Sequence, residues 1–296
     1  MVHKLGHTQA LGLMLLATLL WSIAGVVSRQ VTHAQGFEVT FWRSFFTVLS
    51  LSLLLPMLKG RALFTHLPWR DKSFWLSGVC WSVMFTAFML ALTMTTVANV
   101  LITMAMGPML TALLSRLVLK KPLAVHTWWA IAAAGVGMAF MFISQVQLEG
   151  TRHLWGMAVA LCVPLAGAVQ WTVTHRLQNS AQPQDFMPAV WVGALLSCAY
   201  TAPLAWPTVA SSSDIAWLAA LGLFQLAVPC LLAVRAAQVL PSHEVALLAL
   251  LEVLFGIAWA WWGAGEEPGL NVLVGGGLVL CALAWNESRS RRTQHG

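Results

Sequence analysis

Gly107-Pro-Met-Leu-Thr-Ala-Leu-Leu-Ser-Arg-Leu-Val-Leu-Lys-Lys-Pro122 has a counterpart in Leu251-Glu-Val-Leu-Phe-Gly256, which runs on to Glu266-Glu267-Pro268. Each is an apolar run, interrupted in its middle, that closes on two charged residues and a proline. Lys120 and Glu266 lie 146 positions apart, Gly107 and Glu252 lie 145 apart, and Arg29 and Arg176, which close two other apolar runs, lie 147 apart. Three landmarks thus share an offset of about half the 296-residue chain, which divides it into repeats over 1–150 and 151–296.

Working outward, ten long apolar segments are expected at about 8–30, 37–57, 73–93, 96–118, 127–143, 154–177, 185–203, 214–235, 242–264 and 270–287. A hydrocarbon core of ~30 Å takes about 20 apolar residues per helix, and most of these segments reach that length. Five helices per repeat is an odd number, so the two halves must enter the membrane from opposite sides. An all-α membrane fold of ten transmembrane helices in two inverted five-helix repeats follows, an arrangement shared by alternating-access transporters.

The basic residues orient it. Lys4, Lys59, Arg61, Arg70, Lys72, Arg116, Lys120, Lys121, Arg176, Arg235, Arg289, Arg291 and Arg292 fall on one side of that topology, and only Arg29 and Arg152 on the other. Lys and Arg accumulate in cytoplasmic loops, so both termini are expected in the cytoplasm.

Composition excludes much else. The chain is 59% hydrophobic and 9% charged, with a mean hydropathy of +0.76, against about 25% charged residues in soluble domains. A transmembrane β-barrel would alternate apolar and polar residues in runs of ~10, and no such runs occur. The net charge of +6 is explained by topology and anionic headgroups, so the lipid bilayer and not nucleic acid is the expected macroscopic partner. The short N-terminus lacks a small-residue cleavage site and reads as leading into a retained first helix. Cys80, Cys162, Cys198, Cys230 and Cys281 show no CxxC spacing; neither a disulfide framework nor a metal site is expected, and each reads as buried packing. No HExxH or GxSxG motif appears, so an enzyme is not expected. The polar stretches 58–72 and 178–185 are loops.

With these residues in view, the chain resembles the drug/metabolite transporter superfamily and its EamA repeat. Gly107–Pro122 with the following Trp/Gly/Ala-rich helix, Leu251–Pro268 with Gly275-Gly-Gly-Leu-Val-Leu280, and the stretches Leu20-Trp21-Ser22 and Phe41-Trp42-Arg43 carry the likeness, which covers nearly the whole chain. Val253 stands where the family has a proline, and Leu119-Lys120-Lys121 where it has Gly-Glu-Arg. The resemblance implies a cofactor-free carrier of a small molecule in the inner membrane of a bacterium, and the run of the sequence is most similar to exporters of aromatic amino acids. A carrier of another metabolite or drug, and a non-catalytic scaffold or sensor, are the alternatives; a monomer is expected.

Glu252 is the sharpest candidate. It lies about ten residues into its segment, ~15 Å deep, where a charge costs roughly 2.5–3.5 kcal/mol on insertion scales. It reads either as a proton-coupling or substrate-amine site, or as a neutral acid bonded to a neighbouring helix. Arg43, ~9 Å from the outer surface, can hold a carboxylate through its guanidinium fork or snorkel outward beside Glu38; of the two, the structural role is favoured. His243 and Glu244 suit a helix start.

Sixteen tryptophans accompany one tyrosine. Trp69, Trp75, Trp128, Trp129, Trp155, Trp206, Trp217 and Trp285 lie near segment ends, as an aromatic belt requires. Trp21, Trp81, Trp171 and Trp191 lie deeper and, with Met84, Phe85 and Phe88, can wall a cavity for flat apolar groups. Asn99, Thr103, Gln170 and Gln225 are polar at depth and join helices or bind solute. The candidate cavity set is Trp21, Arg43, Met84, Phe88, Asn99, Gln170, Trp171, Gln225 and Glu252. Pro108, Pro164 and Pro229 are candidate hinges, and Gly135, Gly137 and Gly275–Gly277 are expected to allow close helix contact.

Overall fold

The computed structural model describes residues 6–60, 63–64, 67–119, 125–126, 128–130, 132–133, 135–137, 140, 151–178, 187–237, 239–240 and 242–294. Most of the fifth expected segment, the 178–185 loop beyond Gln178, Lys4, Arg61, Lys120 and Lys121 lie outside them. So do the side chains of Pro108, Arg116, Arg176, His243, Glu244, Arg291 and Arg292.

The described chain is helical. α1 (His7–Ser22) and α2 (Ala24–Ser28) form one span interrupted at Ile23. α3 (Phe37–Lys59), α4 (Lys72–Met94), α5 (Val97–Met104) and α6 (Gly107–Leu119) complete the first half apart from the helical residues between 125 and 140. The second half contains α7 (Thr151–Gln178), α8 (Met187–Thr201), α9 (Ser212–Ala220), α10 (Val228–Ala236), α11 (Ser242–Ala264) and α12 (Leu270–Gln294). A π-helical turn, Leu221–Ala227, joins α9 to α10. Among the described residues six helices are long and apolar enough to cross a membrane: His7–Ser28, Phe37–Lys59, Lys72–Met94, Thr151–Val173, Met187–Leu204 and Ser212–Ala236. The shorter apolar helices include Leu251–Ala264 and Leu270–Ala282. This is a multi-pass membrane protein.

Local chemistry sets the ends. Gly60 closes α3 at φ +88°, donating its N–H to the Pro56 carbonyl, a conformation open to glycine alone. The Asp71 carboxylate caps α4 through Ser73 N at 2.7 Å, and the Thr96 hydroxyl caps α5. At α9 the Ser211 hydroxyl accepts from Asp214 N, and the Asp214 carboxylate accepts from Ser211 N, satisfying two orphan donors at once.

The packing repeats itself. α4 packs on α7 and α8, α3 on α8 and the π turn, α1 on α10 and α11, α6 on α7, and α5 on α11. Exchange the halves, so that α1 becomes α7, α3 becomes α8, α4 becomes α9–α10 and α5–α6 becomes α11. The α4–α7 contact then becomes α10–α1, α4–α8 becomes the π turn on α3, and α6–α7 becomes α11–α1. The α3–α8 and α5–α11 contacts map onto themselves. The repeat read from a shared offset is therefore also a repeat of contacts.

Bare backbone makes these contacts close. A Cβ on Gly193 would overlap Trp81 and stand 3.0 Å from the Gly78 carbonyl; one on Gly137 would stand 2.6 Å from the Gly275 carbonyl, and one on Gly276 would overlap Ile102. Gly135 and Gly277 have open space instead, so the close contact expected of the glycine stripe belongs to Gly137, Gly275 and Gly276. Among the cysteines, Cys80 and Cys230 are buried and Cys198 is partly so, but Cys162 and Cys281 are exposed. Their sequence neighbours are apolar because that surface belongs to the bilayer, which corrects the expectation that all five are packed inside.

Candidate functional site

Arg43 lies six residues into α3 and has no exposed surface. Its Nη1 donates to Gln225 Oε1 at 3.1 Å and its Nη2 to the Phe85 carbonyl oxygen at 2.5 Å. The Phe88 ring centroid lies 5.8 Å from Cζ, within the range of cation–π attraction. Arg43 does not snorkel, because α3 is sandwiched between α8 and the π turn and that face of the helix points inward. Nor is Glu38 its partner: Glu38 Oε1 accepts from Val209 N at 2.9 Å and Ala210 N at 2.8 Å. Among the described residues no acidic side chain pairs with Arg43, and its Nε–H has no hydrogen-bond acceptor.

The π turn delivers Gln225. Gly222 lies flat on the α3 backbone, where a Cβ would stand 2.9 Å from the Arg43 carbonyl. The Thr47 hydroxyl lies 2.8 Å from the Arg43 carbonyl and 3.2 Å from the Gly222 carbonyl, stapling the two elements. Three residues on, Gln225 is buried against the guanidinium. π turns inside α-helices often mark functional positions.

Cys230, the third residue of α10, joins the site from another side. Its thiol is within hydrogen-bonding reach of the Trp21 side chain and within electrostatic range of both Arg43 and Glu252. Glu252 lies on the face of α11 that meets α1 and α5. One turn later, a Cβ on Gly256 would overlap Leu101 and stand 3.5 Å from the Ser22 carbonyl. Trp259 Nε1 donates to Ser22 Oγ at 3.2 Å on the same face. Glu252 is deep in the bundle yet keeps accessible surface, as a group lining an internal cavity does. Among the described residues nothing hydrogen-bonds to its carboxylate.

Aromatic rings extend the site along α4 and α7. Trp81 meets Phe85 at 5.5 Å between centroids and Trp171 edge-on at 6.2 Å. Met84 Sδ and the Trp171 indole both lie beside Gly167. Trp21 and Met84 pack on one apolar cluster with Trp81, Phe85, Leu226 and Cys230.

Of the expected set, Trp21, Arg43, Met84, Phe88, Trp171, Gln225 and Glu252 are thus linked through Phe85, Trp81 and Cys230. Gln170 is buried on α7 beside Trp171. Asn99 stands apart: its Nδ2 donates to Thr95 Oγ1 at 3.0 Å, near the end of the bundle where α4 meets α5. Trp191 packs on the same apolar cluster as Trp21 and Met84, but its Nε1 donates to Ser52 Oγ at 2.9 Å and its ring meets Phe64. Cys230 and the Phe85 carbonyl escaped the sequence, since a lone cysteine and a backbone oxygen carry no spacing signal. Of the hinge candidates, Pro229 opens α10 directly after the π turn. Pro164 is buried within an unbroken α7 and faces Gly107, whose Cβ would stand 3.8 Å from it. A turn at Ala105–Met106 separates α5 from α6, just ahead of Gly107-Pro108.

No curated protein matches the chain. A solved crystal structure, 17% identical, matches 97% of this chain and 100% of its own with a TM-score of 0.67, a likeness of fold alone. The profile described as the EamA-like transporter family matches twice, over residues 8–143 and again over 154–286. Two matches that span nearly the full length, on halves whose packing interchanges, give the conclusion: the chain belongs to the EamA-like transporter family.

Proposed function

We propose that this protein exports amino acids, aromatic ones above all, from the bacterial cytoplasm through the inner membrane. In this reading ten helices form two inverted repeats with both termini cytoplasmic, and a site between the repeats opens alternately to each side. The supporting observation is a buried Arg43 on α3, held by Gln225 and the Phe85 carbonyl beside the Phe88 ring, next to the aromatic cluster on which Trp21 of α1 packs, with Glu252 of α11 deep in the same bundle. A fixed cation, a deep acid and an indole surface are complementary to the carboxylate, ammonium and ring of an aromatic amino acid. Three elements from both halves supply them, so relative motion of the halves would rebuild the site.

The test is flux in proteoliposomes of purified protein, with labelled tryptophan, phenylalanine, methionine and charged amino acids. Tryptophan and phenylalanine flux above protein-free vesicles is expected, with charged amino acids at background. Absence of flux for every amino acid overturns the proposal.

A further inference from the structure

We infer that Arg43 and Gln225 form a carboxylate clamp, so that the site recognises its solute by a free carboxylate and tolerates loss of the α-amino group. The inference deepens the exporter reading and rests on it for the identity of the site.

The charge at Arg43 is permanent, since a guanidinium is not deprotonated in proteins. It is fully buried, and a buried charge without an opposite partner is costly. Its two protein acceptors, the Gln225 amide oxygen and the Phe85 carbonyl, are neutral. They fix the plane of the guanidinium and leave its charge uncompensated. The Phe88 ring at 5.8 Å adds attraction but no anion. What the protein leaves unpaired, though enclosed, is the Nε–H, on the edge a carboxylate grips side-on once the halves part. The indole of Trp21 packs on the cluster that holds Phe85, the residue whose carbonyl accepts from Arg43, and so offers a surface for an aromatic group carried by the same solute.

Glu252 is not bound by the same requirement. A carboxyl group relieves burial by taking up a proton, an option closed to a guanidinium. An ammonium on the solute is therefore an added contact, whereas a carboxylate answers a charge that nothing else among the described residues answers. The class of solute this implies is the aromatic monocarboxylate, amino acids included. Gln225 acts as a positioning residue through Arg43.

The experiment is competition against labelled tryptophan in proteoliposomes, using indole-3-propionate (carboxylate without amine), tryptamine (amine without carboxylate) and tryptophanamide. Indole-3-propionate is expected to compete within about tenfold of tryptophan. Tryptamine and tryptophanamide should be weaker by about 100-fold, the scale set by removing one partner of a buried charge pair. Arg43→Lys keeps the charge and loses the fork, so KM for tryptophan should rise at least about tenfold with a smaller change in Vmax. Gln225→Met should raise KM for both carboxylates and narrow the gap between tryptophan and tryptamine; a merely structural glutamine would lower folded yield and leave that gap unchanged. Equal competition by tryptamine, with tryptophan still transported, overturns the clamp and leaves the exporter reading intact. If tryptophan is not transported, the same compounds are tested for thermal stabilisation of the purified protein. Carboxylates alone raising Tm would uphold the clamp without the exporter, and no carboxylate effect would overturn both.

Discussion

Arg29, at the end of α2, pairs with Glu266, just beyond α11, at 3.2 Å, and through this pair the ends of α2, α4 and α11 meet the start of α5. The other guanidinium nitrogens donate to the carbonyls of Leu92 and Thr95, at 2.8 and 3.0 Å. The second Glu266 oxygen accepts from Val97 N at 2.6 Å. Further ties at this end also cross from one half to the other: Asp214 to the 32–34 backbone, Glu38 to Val209 and Ala210, and Arg152 to the Thr93 carbonyl. The matching positions of the repeat are Arg176 and Lys120, two cations that cannot make the same pair. The sequence offset is near-symmetric, but the charges on it are not, so the Arg29–Glu266 pair is not repeated by opposite charges at the matching positions.

Glu266→Gln should therefore favour opening at this end. A single cysteine introduced at Thr93, in a background without native cysteines, should react faster with a membrane-impermeant thiol reagent in the variant. The expected gain is up to about fivefold, the limit for a partly exposed pair of about 1 kcal/mol. Equal rates in the presence and absence of Glu266 would remove the pair from any gating role.

Asp214 carries more weight than its exposed neighbours. It is fully buried, and its oxygens accept from the N–H groups of Thr32, His33, Ala34 and Ser211 at 3.0–3.2 Å. Asp214→Ala leaves four backbone donors without their acceptor, the buried Ala34 N–H among them, and removes half of a capping box, at a cost of about 2–3 kcal/mol. In detergent Tm should fall by several degrees. Asp214→Asn, which keeps an acceptor oxygen, should lose about half as much.

Glycines that look alike in the sequence should separate in stability. Gly193→Ala drives a methyl group into Trp81 and the Gly78 carbonyl, forcing α8 away from α4 at about 1–3 kcal/mol. Gly12, in α1, has nothing within 4 Å of its Cβ position, and Gly12→Ala should be neutral or stabilising by up to about 1 kcal/mol through helix propensity. Thermal melts of the two variants check the contrast.

The element plan was legible because hydropathy is written along the chain and a bilayer reads it along the chain. The expected 242–264 coincides with α11, and 73–93 falls one residue short of α4 at each end. What faced what was less legible. Arg43 was weighed as a snorkelling cation since its depth is the same on every face of α3, and only the packing of α8 and the π turn says which face it occupies. Asn99 and Gln225 are equivalent as deep amides, yet one bonds back to Thr95 at the junction of α4 and α5 and the other holds a guanidinium. The π turn left no trace, because Leu221–Ala227 has the composition of an ordinary apolar helix.

Glu252 offers the sharpest division between coupling and structure. It keeps accessible surface deep in the bundle, lies within electrostatic range of Cys230, and has no hydrogen-bond partner among the described residues. A structural acid at that depth would be bonded, since an unsatisfied polar group inside a membrane is expensive. Glu252→Gln keeps the shape and removes the exchangeable charge. If the acid couples transport to protons, a pH gradient should accelerate tryptophan flux in the native protein by about tenfold or more and leave the variant unmoved, while its binding of tryptophan changes little. If the acid instead holds the ammonium, the variant should lose tryptophan affinity and retain that of indole-3-propionate. Glu252→Gln indistinguishable from native in both measurements would assign the residue to neither role, and a gradient response preserved in the variant would move the coupling group elsewhere in the chain.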